Sequence, residues 1–370
     1  MDTWSKEKIW DWYGSRPWIR GCNFMGSDCA NRIDQWQEYG FEKRLETADR
    51  ELAVAEEIGY NSIRIILEFE VWDRQHDGFM RRLDKYLETA YKHGIDAMVV
   101  LANDCCVPKS LYKPVVFGEQ HYDVGYHGGR KSSPHAAYAS ADNEERYHPL
   151  DEPEIRERYY KMVKEIITEY AHDERVLIWN LFNEPGNNRG NKSLPYIEKF
   201  FEIARAINPM QPLCADTWNG VDENGRAKNL IEQRVLELSD VVSFHGYEPY
   251  NETVDMIANL KKTGKPLFNT EWLHRIAHNT VQEIFPLMYL EKIACYNWGF
   301  VAGKYQTYEP WESVWQEYEK NPKADIDFTK WQHDLIRPSL RPYDPRETEI
   351  IKRYCDRADR DFERENGKKG

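Results

Sequence analysis

Two hydrophobic rhythms alternate along this chain. Short apolar and β-branched runs that end in polar tips read as buried strands, and longer stretches with apolar positions at helical spacing read as amphipathic helices. The strand candidates are 19–25 (IRGCNFM), 61–67 (NSIRIIL), 95–101 (IDAMVVL), a run opening VLIWNLF within 176–186, 212–218, 240–247, 266–272 and 294–303. Helices are expected over 45–59, 79–94, 154–171, 193–208, roughly 227–238, 252–264, 279–293 and 346–362; Gly59 and Gly94 stop the first two, and the helix over 279–293 must tolerate Pro286. Alternating strands and helices build parallel βα units, and eight such units predict an α/β chain folded as a (β/α)8 TIM barrel.

A doubly wound sheet would normally carry a glycine-rich phosphate loop after its first strand, and GCNFMGS lacks that spacing. The reading is therefore a single catalytic domain over 1–370, with long loops after strands three and eight. Residues 1–18, with Trp4, Trp10, Trp12 and Trp18 among charges, predict a short helical extension packed on the outside.

Composition narrows the function. Aromatic residues make up 14% of the chain, with 13 Trp and 23 Tyr, more than a core alone usually needs, and aromatic faces suit the C–H faces of sugars. A net charge of -13 argues against nucleic acid and anionic membrane as partners, since both require basic surfaces. Seven cysteines, an odd number without CxxC spacing, read as reduced and buried side chains. With no leader pattern in MDTWSKEKIWDWY, the expectation is a cytoplasmic protein as the chain is given, or a secreted or periplasmic one if a leader precedes it. No cofactor is expected. His121, His127, His135 and His148, between strand three and the next helix, match no common metal spacing and are expected to wall the pocket.

The strand tips carry the candidate chemistry, because on a barrel they face one bowl. Glu184, in Asn183-Glu184-Pro185, closes the fourth run, where an apolar setting should raise its pKa and suit it to donate a proton. Glu271 closes the seventh, and two carboxyls converging on one bond are what glycoside hydrolysis requires. Arg64, inside an apolar strand, needs a buried anion, and Glu271 is the natural partner. His245 and Tyr247 share a strand face and are placed to orient carboxyls or sugar hydroxyls. Trp298 is read as the floor under a sugar ring and Asn183 as a contact for its 2-hydroxyl. Asp104, Trp218 and Asn23 complete the expected substrate-binding set.

Asn183-Glu184-Pro185, His245-Gly246-Tyr247, Glu271, Trp298 and Arg64, in this strand order, together resemble the retaining glycoside hydrolases of clan A, most nearly family 5. The resemblance runs from Ile19 to about Gly303, and the opening IRGCNFMGSDCANRIDQWQ resembles bacterial proteins labelled xylanases or cellulases. It implies a retaining β-glycosidase, with Glu184 as acid/base, Glu271 as nucleophile, and the remaining residues supporting the cleaved sugar. The chain departs from family 5 in one place: the third strand tip, which commonly carries histidine, here reads Asn103-Asp104-Cys105-Cys106. A long loop there tends to close a groove into a pocket, which favours chain ends or short oligosaccharides. The alternatives are a transglycosylase using the same site and a non-catalytic carbohydrate-binding barrel.

Overall fold

The computed structural model describes residues 2–122, 127–129 and 144–366. Its strands are β1 (Arg20–Asn23), β2 (Ser62–Ile66), β3 (Asp96–Val100), β4 (Val176–Asn180), β5 (Leu213–Cys214), β6 (Asp216–Thr217), β7 (Val242–His245), β8 (Leu267–Trp272) and β9 (Ala294–Asn297). All pair in parallel in the order β5-β4-β3-β2-β1-β9-β8-β7-β6. Only Ala215 separates β5 from β6, so the ring closes through the chain itself, and the fifth expected strand is present in two pieces, one paired with β4 and the other with β7. The architecture is the expected α/β parallel barrel.

Amphipathic helices return the chain between strands, among them Phe41–Glu57, His76–Lys92, Pro153–Glu169, Leu194–Ile207 and Val281–Leu290, the last with Pro286 inside it. Three shorter helices, Arg32–Trp36, Phe69–Arg74 and Glu312–Lys320, lie in stretches read from sequence as connections. The eighth expected strand is shorter than its apolar run: it ends at Asn297, and Trp298–Gly303 bends away over the bowl. Among the described residues no helix is long and apolar enough to cross a membrane.

The N-terminal extension sits elsewhere than expected. The helix Lys6–Gly14, capped by the Ser5 hydroxyl, buries Ile9 in one cluster with Met98, Ile178, Cys214, Phe268, Ala294 and Tyr296 from the strands. Trp12 stacks on Phe268, and the Trp4 amide donates to Asp240, two residues before β7. The helix thus plugs the N-terminal mouth of the barrel. The inward side chains at that end form an apolar layer with no neighbouring strand above it, so something must cover it, and the helix does.

Candidate active site

At the opposite mouth, a guanidinium organises the strand tips. Arg64 on β2 is 1% exposed and donates through Nη1 to Asn23 Oδ1 (2.7 Å) and Glu271 Oε1 (2.9 Å), and through Nη2 to Asn183 Oδ1 (2.5 Å) and Asp216 Oδ2 (2.7 Å). It meets the expected partner, Glu271, but shares its charge with Asp216 on β6. Asp216 also accepts from Asn180 Nδ2 at 2.7 Å and from the Ser243 hydroxyl. Burial would raise its carboxyl, yet Arg64 and His245 hold it well below the usual range.

Glu184 follows β4 with a backbone φ of +43°, a region that costs a non-glycine residue free energy and is used where a side chain must be aimed. Its Oε1 meets His245 Nδ1 at 2.7 Å; its Oε2 accepts from Asn187 Nδ2 at 2.6 Å and from the Cys105 thiol at 2.9 Å. Glu271 on β8 takes Arg64 on Oε1 and the Tyr247 hydroxyl on Oε2 at 2.9 Å. His245 Nδ1 lies 3.4 Å from that second oxygen, and its Nε2 faces Asp216 at 3.6 Å, an ion-pair distance rather than a hydrogen bond. One oxygen of each glutamate and a His245 nitrogen all lie within 4.8 Å of one another.

These contacts reverse one expectation. Burial raises the Glu184 carboxyl, but the hydrogen bonds from His245, Cys105 and Asn187 outweigh it, so the group sits below its ordinary 4.5. Glu271 goes the other way: burial lifts it above 4.5 despite His245 and Arg64, and the Glu184 and Asp216 charges add to the rise. Burial alone would lower His245, but Glu271, Asp216 and Glu184 push it up to about 10. The proton of this cluster therefore rests on His245 Nδ1, one hydrogen bond from Glu184. An apolar strand end was a poor guide because the tip turns out of the strand and into a ring of donors.

The expected residues divide into two groups. Asn183, Glu184, Trp218, His245, Tyr247, Glu271 and Trp298 line one cavity of about 670 Å³, within the usual range for small-molecule sites. Arg64 lies directly beneath it. Asn23 and Asp104 do not line it, and Asn23 instead borders a smaller adjoining cavity with Arg64 and Trp298. Asn23 is used up on Arg64 and on the Thr270 and Asn297 carbonyls. Asp104 is fully buried, with its carboxylate on Ser193 Oγ, Arg189 Nε and the Gly186 amide, so it braces the loop behind Glu184. Adjacent tip residues point in opposite directions, and Asn103 takes the inward place.

The pocket also includes residues not foreseen: Cys105, Asn187, Glu248 and Trp311. Trp311 comes from the long connection after β9 and meets the Tyr247 ring edge-on at 5.1 Å. Its signal in the sequence was only that connection's tryptophan content. All seven cysteines are free; five are buried as expected, whereas Cys105 and Cys106 are only partly covered. Of the four histidines, His127 lines the cavity beside Trp298 and Tyr305. His148 is buried behind it, His121 is exposed and does not line it, and His135 lies outside the described residues. Asp104, Cys106 and His148 gather donor atoms close enough for a metal, but Arg189 lies 3.0 Å from Asp104, and His148 Nδ1 already accepts from the Leu150 amide. A cation there would face a buried guanidinium.

The family described as Cellulase (glycosyl hydrolase family 5) matches residues 23–303. The chain belongs to glycosyl hydrolase family 5. It is accordingly a glycoside hydrolase of a retaining clan A family, and carbohydrate is its binding partner. Solved structures of similar fold include the endo-β-1,4-mannanase from Thermotoga petrophila, at 16% identity over 93% of this chain and 77% of that one, with a TM-score of 0.53. A GH5_18 protein from Streptomyces cattleya in complex with GlcNAc matches at 11% identity over 94% and 80%, with a TM-score of 0.54. The β-1,4-mannanase from the sea hare Aplysia kurodai matches at 14% identity over 76% and 88%, with a TM-score of 0.51. No curated protein matches the sequence. Family 5 membership accounts for the order of the tips, while the Cys105 contact to Glu184 belongs to this chain's own third tip.

Proposed function

We propose that this family 5 chain is a retaining β-glycosidase that hydrolyses β-linked oligo- or polysaccharides by double displacement, with Glu271 as nucleophile and Glu184 as acid/base. One observation carries this reading: the two carboxylates approach within 4.8 Å, which leaves no room for the water that an inverting enzyme seats between them. Glu271 attacks the anomeric carbon while Arg64 and Tyr247 hold its oxygens in place. The departing oxygen takes a proton from Glu184, which draws it from His245 across their 2.7 Å bond, and the Glu184 carboxylate left behind then takes a proton from water, which releases the sugar with its configuration retained and returns the proton to the Glu184–His245 pair. Trp298 and Trp218 line the same cavity and offer faces for the substrate's sugars. The names of the structural neighbours put β-mannosides first among substrates to try.

Two outcomes are expected. Glu184→Ala retains turnover of glycosides with good leaving groups, is accelerated by azide and yields a β-glycosyl azide; an α-azide, read by NMR of the product, contradicts the assigned roles. The pH profile of kcat/KM falls on both sides. The nucleophile must be ionised, so its activity disappears as pH drops through a pKa that burial lifts, and the acid limb lies above 4.5. The acid must hold its proton, so the alkaline limb appears where the Glu184–His245 pair gives it up, toward pH 10. An acid limb below 4.5 contradicts the burial argument for Glu271.

A further inference from the structure

The third strand tip departs from the family pattern, and the departure touches Glu184 directly. Cys105 is fixed by its own backbone, whose amide donates to Asn103 Oδ1 at 2.9 Å. The amides of Asn183 and Asn187 both approach its sulfur at 3.6 Å. With N–H donors on the sulfur lone pairs, its single hydrogen is left for the carboxylate at 2.9 Å, Glu184 Oε2. Burial first, then the Glu184 and Glu271 charges, hold the thiol protonated, so it is a donor here and not a nucleophile.

We infer that Cys105 is a positioning residue that, with Asn187, clamps the outer oxygen of Glu184 and favours its ionised form. The inference rests on the assignment of Glu184 as acid/base. A thiol or amide hydrogen bonds a carboxylate more strongly than a carboxylic acid, so the clamp stabilises the state that Glu184 reaches after giving up its proton. It makes Glu184 a stronger acid in the step that breaks the glycosidic bond and a weaker base in the step that activates water. The clamp also keeps the Oε2 edge from rotating, which leaves Oε1 on the His245 proton supply.

The test compares Cys105→Ala with Cys105→Ser, whose hydroxyl restores a donor in nearly the same place. The Glu184 titration is read directly, without substrate, from 13C-carboxyl NMR of the full-length protein labelled at glutamate, the resonance being assigned with Glu184→Gln. In Cys105→Ala the titration moves up by about half a pH unit or more, and Cys105→Ser returns it toward wild type. Kinetically, on 2,4-dinitrophenyl and phenyl β-mannosides, Cys105→Ala loses more rate on the phenyl than on the dinitrophenyl glycoside. Identical titrations in all three proteins overturn the inference, as does a shift in Cys105→Ser equal to that in Cys105→Ala. Full turnover in Glu271→Ala would instead remove the double-displacement assignment while leaving the titration result standing, so the two failures are separable.

Discussion

Glu271→Ala is expected to lose turnover entirely within detection, a fall of about 10⁴-fold or more in kcat on any substrate the wild type cleaves. The size follows from its place in the site. Glu271 is held on both oxygens, by Arg64 and Tyr247, and an alanine leaves nothing that can bond to the anomeric carbon. A shape-preserving control, Glu271→Gln, keeps hydrogen bonds to both partners and isolates the loss of nucleophilicity from the loss of packing. The same residue is expected to take a covalent label from one member of a panel of 2-deoxy-2-fluoro β-glycosyl fluorides in gluco, galacto, manno and xylo forms. Intact mass and peptide mapping read the label. Wild-type rates in Glu271→Ala would falsify the double-displacement assignment, and a label mapped to Glu184 would exchange the two roles.

Arg64→Met is expected to be the most destabilising single change at this mouth of the barrel, lowering stability by about 3–5 kcal/mol and leaving little activity in what folds. The guanidinium neutralises two buried carboxylates, Glu271 and Asp216, and ties Asn23 and Asn183 to them, so its removal leaves buried negative charge without compensation. Denaturant unfolding followed by circular dichroism measures the loss. Because both stranded carboxylates can be neutralised by protons, and losing Arg64 raises both relative to wild type, the deficit should shrink as pH falls. A deficit independent of pH assigns the loss to packing rather than charge.

How much of this was written in the sequence differs from residue to residue. The strand tips were legible because each buried run stops at a polar side chain, and a polar residue at the end of a buried strand on a barrel has few places to go but the bowl. That logic found Glu184, His245, Tyr247, Glu271 and Arg64, all gathered within hydrogen-bonding reach of the cluster. It did not show that Asp104 and Asn23 stay out of the main cavity, because a tip has two sides: whether a side chain faces the pocket or the loop behind it depends on a one-residue alternation, which an irregular exit from the strand resets. It also misjudged the direction of the Glu184 shift, since two of its three donors, Cys105 and His245, come from far away in sequence. The split at Ala215 was invisible for a similar reason, because an apolar run does not reveal which neighbour each of its residues pairs with.

The helix that plugs the lower mouth sets an order of events during synthesis. Lys6–Gly14 is made well before the surface it covers, which includes Phe268, Ala294 and Tyr296. Until β8 and β9 exist, Ile9 and the neighbouring tryptophans have no completed seat, so this helix, made before the barrel strands, docks only after β9. Its arrival on the ribosome-bound chain therefore reports closure of the ring, and an environment-sensitive probe on the Trp12 side of that helix should change only after β9 has cleared the exit tunnel.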